Sequence, residues 1–151
     1  QLMPRQPYIL VDTARNHLYV KRADQVMLDA LASTGSGTIL DKPGDSKGQW
    51  IFDTPRGEFS VQSRLTNPVW VKPDWAFLEV GEPIPRDLSA RLAPTELGDY
   101  ALDLGDGYLI HGTLYERALG LSITHGCVRL GARDLDMVYH SVRIGTPVYI
   151  F

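Results

Sequence analysis

The sequence predicts a mainly β fold: hairpins closing into a sandwich or barrel-like pair of sheets, with one or two short helices. Three observations carry that expectation. Short apolar or alternating runs recur along the chain, separated by turn residues. The clearest helical period lies in residues 132–142 (ARDLDMVYHSV), which place Leu135, Val138, Tyr139 and Val142 at i, i+3, i+4 and i+7. The chain has 151 residues with 44% hydrophobic content, enough for one sizeable core. No repeat, low-complexity tract or linker divides it, so residues 1–151 read as a single domain.

Taken in order, residues 8–12 (YILVD) form an apolar run and residues 17–21 (HLYVK) alternate, which predicts an opening hairpin. His17 reads as a surface strand residue. Residues 25–32 (QVMLDALA) suit strand or short helix by pattern. The preceding hairpin and the STGSG turn that follows favour a strand. Residues 38–49 are polar and broken by Pro43, Gly44 and Gly48, so they read as a loop, with brief pairing at 50–53. Pro55 and Gly57 suit a turn, and residues 58–65 alternate as one strand.

Residues 67–85 (NPVWVKPDWAFLEVGEPIP) hold four prolines together with Trp70, Trp75 and Phe77, and read as irregular. Their aromatics either pin a long loop to the core or form a wall against which substrate lies. A short helix is expected within 86–97. Residues 100–104 and 108–111 flank Gly105-Asp106-Gly107 as a second hairpin. His111 then stands at the far end of its strand, where a catalytic group can be rigid yet exposed. Residues 114–119 suit one helical turn. In the helix at 132–142, Asp134 and Asp136 sit near the positive end of the dipole, and His140 near the other end reads as structural. Residues 148–151 close the fold as a strand.

The chemistry concentrates in residues 108–130, YLIHGTLYERALGLSITHGCVRL. They hold the only cysteine, Cys127, and two of the four histidines, His111 and His125. A thiolate is a nucleophile, an imidazole can take its proton, and a neighbouring glycine lets backbone amides approach a substrate carbonyl. A buried inert cysteine and a zinc site are the other readings. If residues 124–130 are extended, His125, Cys127 and Arg129 share one face. A cation there disfavours a metal and stabilises a thiolate.

The pairing of HGT with THGCVRL resembles the signature of the L,D-transpeptidase (YkuD-type) catalytic domain. Sixteen positions separate His111 from Cys127, within the spacing of that signature, and Thr124 stands where the family more often has serine. The opening VD-x-x-x-x-x-LYV pair with STG, the segment TPRGEF and the closing GTPV also resemble the family, so the likeness runs from Tyr8 to Phe151.

The resemblance implies cleavage of a peptidoglycan stem peptide between diaminopimelate and the terminal D-alanine. Cys127 would attack the carbonyl and His111 would act as base. The Gly112 carbonyl would orient that histidine, and the backbone amides of His125, Gly126 and Cys127 would form an oxyanion hole. Arg129 would stabilise the thiolate or bind a substrate carboxylate, unless it makes a purely structural ion pair. Thr124, Trp70 and Trp75 complete the candidate substrate contacts. An amine from a second stem, or from an envelope lipoprotein, would resolve the thioester; water would make the chain an L,D-carboxypeptidase. An inactive peptidoglycan-binding module is the reading from another class. The resemblance further implies the bacterial cell envelope, periplasmic or extracytoplasmic, and acylation by carbapenems. No cofactor or metal is expected.

Composition narrows the remaining classes. A net charge of −3 without a basic run or basic-aromatic patch argues against nucleic acid. No apolar stretch approaches the roughly 18 residues of a membrane span. No charged-then-apolar signal opens the chain at Gln1, as expected of a mature or trimmed form.

Overall fold

A computed structural model describes residues 6–43 and 48–151. Its strands in chain order are β1 (Tyr8–Asp12), β2 (His17–Arg22), β3 (Gln25–Gly35), β4 (Ile39–Asp41), β5 (Gln49–Ile51), β6 (Gly57–Ser60) and β7 (Ser63–Thr66). Next come β8 (Trp70–Val71), helix α1 (Asp74–Leu78), a 3-10 turn at Leu88–Arg91, β9 (Leu92–Ala93), β10 (Tyr100–Asp103) and β11 (Leu109–His111). A second 3-10 turn (Glu116–Ala118), β12 (Ser122–Thr124), β13 (Val128–Leu130), helix α2 (Ala132–Ser141) and β14 (Pro147–Ile150) complete the chain.

Among the described residues, ten strands join one mixed sheet in the order β6-β14-β1-β2-β3-β13-β11-β10-β7, with β12 beside β3. β1 and β2 alternate as their sequence demands: Ile9, Val11, Leu18 and Val20 are buried, and their neighbours face outward. β14 runs parallel to β1, Val148 opposite Ile9. Pro147 opens β14, a position where the missing amide hydrogen is tolerated. α2 caps the sheet by burying Leu135 and Val138 among Leu102, Ile110, Val128 and Leu130. Full burial of each such side chain contributes about 1.5–3 kcal/mol relative to exposure.

β3 is the joint of the fold. It reaches Gly35, past the turn expected after Ala32, because its last residues find new partners. Ala30 and Leu31 still pair with β2, Ala32 and Ser33 pair with β13, and Thr34 and Gly35 pair with β12.

Three further expectations are corrected. The strand expected over 58–65 breaks at Val61 and Gln62. Their amides donate to the Thr146 carbonyl (2.9 Å) and the Asp103 carbonyl (2.7 Å), carrying the chain from the β14 side to the β10 side of the sheet. The loop expected over 38–49 is in part a hairpin, Ile39 opposite Ile51, with residues 44–47 outside the described set. The irregular 67–85 stretch contains α1, started by Asp74 after Pro73, and a two-residue ladder pairing Trp70 with Ala93. Within residues 86–97, where a short helix is expected, Leu88–Arg91 form one 3-10 turn, followed by β9.

Candidate active site

The site grows from the parallel pairing of β11 and β13, which sets Ile110 beside Val128 and His111 beside Arg129. Cys127 immediately precedes β13, so its thiol meets the start of β11. Its Sγ accepts the Leu109 amide hydrogen at 3.4 Å and lies 3.9 Å from the Gly107 carbonyl. Cys127, His111, His125 and Arg129 all line one cavity of about 750 Å³.

The turn carrying Cys127 is held by two buried threonines. The Thr124 hydroxyl donates to the Cys127 carbonyl (2.6 Å) and accepts the Gly126 amide hydrogen (3.1 Å). The Thr54 hydroxyl donates to the Gly126 carbonyl (2.8 Å) and accepts from the Gly35 amide (2.8 Å). Gly126 has φ +126°, and a Cβ there would lie 2.9 Å from Tyr108 Cε1 and 3.1 Å from the Asp53 carbonyl oxygen. Only glycine fits such a backbone at such a distance.

This turn bears on three expectations. Residues 124–130 are not extended throughout, since β12 ends at Thr124 and β13 starts at Val128. Thr124 lines the cavity but is almost fully buried, and its hydroxyl is engaged in holding the turn. The Gly126 amide points at Thr124 rather than at an incoming carbonyl.

His111 is buried, not exposed at a strand end. Its Nδ1 lies 2.6 Å from the Gly112 carbonyl. A carbonyl can only accept, so Nδ1 carries the hydrogen and Nε2 keeps a free lone pair. Gly112 is held in turn: its amide donates to the Leu97 carbonyl at 2.7 Å, and a Cβ on it would meet Leu135 Cδ2 at 3.1 Å and Gly98 Cα at 3.2 Å. Burial pushes the His111 imidazole down to about 4, the Gly112 hydrogen bond opposing and Arg129 adding to the fall. Burial pushes the Cys127 thiol up, while the Leu109 amide and Arg129 pull it back and Asp103 adds to the rise. At neutral pH the cavity is thus lined by a thiol and a neutral imidazole, the protonation states that suit proton removal during attack.

The aromatic residues of the 67–85 stretch reach the same cavity. Trp75 stacks on the His125 ring, centroids 4.1 Å apart at 16°, and Trp70 lies 6.0 Å from Trp75. Phe52 sets its edge against both rings, and Glu79 Oε1 is 2.7 Å from His125 Nε2. Phe52, Thr54, Tyr108, Leu109 and Glu79 were not among the residues singled out from sequence. Glu79 alone carried a local signal, standing four residues after Trp75 at what proves to be the C-cap of α1. Among the described residues, no group of three or more His, Cys, Asp or Glu side chains is placed to hold a metal.

A family model described as YkuD, L,D-transpeptidase catalytic domain, matches residues 6–150. A curated relative, "Probable L,D-transpeptidase YbiS" of Escherichia coli (strain K12), is 31% identical over 147 residues, covering 95% of this chain and 47% of that protein. The chain spans about half the length of the first curated relatives it matches. Among solved structures, the catalytic domain of the E. faecium L,D-transpeptidase superimposes with a TM-score of 0.68 at 20% identity, covering 97% of this chain and 98% of that one. LD transpeptidase LdtMt1 in complex with imipenem gives 0.66 at 20% identity, covering 96% and 58%. At such identity the structural likeness speaks for the fold.

Proposed function

Because this chain belongs to the L,D-transpeptidase catalytic domain (YkuD) family, we propose that it is a cysteine acyltransferase acting on peptidoglycan stem peptides in the bacterial cell envelope. The observation that carries the reading is the placement of Cys127 and the buried, neutral His111 on one cavity, with Gly112 fixing the imidazole.

In the first half-reaction the Cys127 sulfur bonds to the diaminopimelate carbonyl carbon as His111 Nε2 takes the thiol proton. Charge gathers on the carbonyl oxygen, and the amides of His125 and Cys127 receive it; one such donor is worth about 3 kcal/mol. The carbon–nitrogen bond then breaks, and His111 returns the proton to the departing D-alanine amine. In the second half-reaction an amine attacks the thioester, gives its proton to His111, and the sulfur leaves. A stem amine gives a cross-link and a lipoprotein amine gives an anchor. Arg129 favours the thiolate and offers a cation to a substrate carboxylate. Lys72 and Arg129 share the cavity lining with Glu79, Glu96 and Asp106, a mixed-charge surface suited to a zwitterionic stem. Trp70 and Trp75 form its apolar wall.

The test gives the protein a purified disaccharide-tetrapeptide and follows products by mass spectrometry. Linked dimer should form with the wild-type chain and disappear in Cys127→Ala at unchanged circular dichroism. Dimer from the Cys127→Ala protein would remove the thiol mechanism. Tripeptide alone from the wild type at saturating acceptor would assign the L,D-carboxypeptidase reaction instead.

A further inference from the structure

The catalytic turn is gripped from outside as well as from within, by a contact that the reaction above does not use. The grip falls on the side chain of His125. Trp75 covers one face of its ring, Phe52 presses its edge against it, and Glu79 Oε1 lies 2.7 Å from Nε2. A carboxylate can only accept, so Nε2 carries the hydrogen of this bond. Trp75 lies in α1 and Glu79 is its C-cap, one turn later, with the Glu79 amide donating to the Trp75 carbonyl at 3.0 Å. The His125 and Glu79 side chains are 29% and 36% exposed, so solvent can compete for the bond.

α1 is a small unit set apart from the main sheet. It has five residues, and β8–β9, beside it, is a separate two-stranded ladder outside the ten-stranded sheet. Asp74 at its start pairs with Arg91 at 2.7 Å, and Phe77 is its buried anchor. The main sheet keeps its own ladder whether or not α1 sits on His125. His125 in turn is two residues from Cys127, so whatever holds the ring also holds the peptide units on either side of Gly126.

We propose that Glu79 is a positioning residue that latches α1 onto His125. The latched helix roofs the cavity and keeps water from the Cys127 thioester until an amine acceptor arrives. The latch rests on the thioester reading given above. A half-exposed, charge-assisted hydrogen bond shifts an equilibrium by about fivefold. That strength favours closure without blocking entry of a stem peptide. Restricting water during the life of an intermediate is what closing segments do at many active sites.

The experiment is a single turnover with purified disaccharide-tetrapeptide and no added acceptor, the thioester on Cys127 followed by intact-mass spectrometry. Glu79→Ala should shorten the thioester lifetime about fivefold. Glu79→Gln keeps an acceptor oxygen in the same place and should stay within about twofold of wild type. Tryptophan emission should shift in Glu79→Ala, and the shift should vanish in a Trp75→Phe background. An unchanged lifetime in Glu79→Ala overturns the latch. Equal shortening in both Glu79 variants, together with a lowered melting temperature, also overturns it and makes the contact one of fold stability. If the wild-type chain forms no thioester at all, the acyl-transfer reading falls and the water-excluding role falls with it.

Discussion

Gly126 is the residue whose replacement the geometry penalises most sharply. Gly126→Ala adds one methyl group at a backbone φ of +126°, against Tyr108 Cε1 at 2.9 Å and the Asp53 carbonyl oxygen at 3.1 Å. Holding an L-residue in such a conformation costs about 1–3 kcal/mol. Forcing a methyl into a filled site costs about as much again. The expected loss is therefore about 2–6 kcal/mol, read as a fall in the urea midpoint at constant slope. Gly37 is the control. It has φ +77° with nothing within 4 Å of an added Cβ, so Gly37→Ala carries the conformational cost alone, about 1 kcal/mol. A double variant, Gly126→Ala with Tyr108→Ala, should recover part of the crowding but not the strain, because Asp53 contributes backbone and cannot yield. Thiol acylation should fall further than stability does, since the displaced peptide units carry the His125 and Cys127 amides. Equal losses for Gly126→Ala and Gly37→Ala would refute the reasoning, as would full recovery in the double variant.

Other expectations follow from the same geometry. His111→Ala should slow turnover by roughly 100-fold or more, a usual contribution of a general base, and His125→Ala should cost less; the reverse order on folded proteins would exchange the two roles. A carbapenem should leave one covalent adduct by intact mass, absent from Cys127→Ala, and an equal yield in both would place the acylated group elsewhere. The folded chain resists protonation of His111 down to about 4, whereas an unfolded histidine binds its proton near 6.5. This group's contribution is therefore constant above about pH 6.5 and is lost as pH falls from there through about 4, by about 3 kcal/mol in all. Urea midpoints of wild type and His111→Gln near pH 7.5 and near pH 4.5 isolate it, and identical acid losses in the two proteins would contradict the assignment.

The parts of this fold that were legible in sequence are those with local causes. β1 and β2 alternate, the GDG turn joins β10 to β11, and α2 carries a full helical period. THGC places a thiol beside a glycine within four residues. What was not legible depends on partners far along the chain. Nothing local tells Val61 and Gln62 to leave one edge for another, because the carbonyls that receive their amides belong to Thr146 and Asp103. Nothing in residues 38–49 shows that Ile39 will find Ile51. α1 is too short for periodicity to register. In the site, the motif residues His111, Cys127 and Arg129 line one cavity, but motif reading could not see which polar groups were already engaged. Thr124 and the Gly126 amide satisfy each other, a consequence of burying both.

The parallel ladder between β1 and β14 also sets the order in which the molecule can be made. β14 lies between β1 and β6 and supplies ladder partners to both. The amide of Thr13 donates to the Phe151 carbonyl, and the amide of Phe151 donates to the Val11 carbonyl. A nascent chain emerging from the ribosome can form the β1–β2 hairpin early, yet the other side of β1 stays open until nearly all of the described residues have been synthesised. Pairings of such long sequence separation form slowly. An edge left waiting is also a surface on which chains aggregate. The consequence is a late-closing domain: one edge of β1 stays unpaired until β14 has been made.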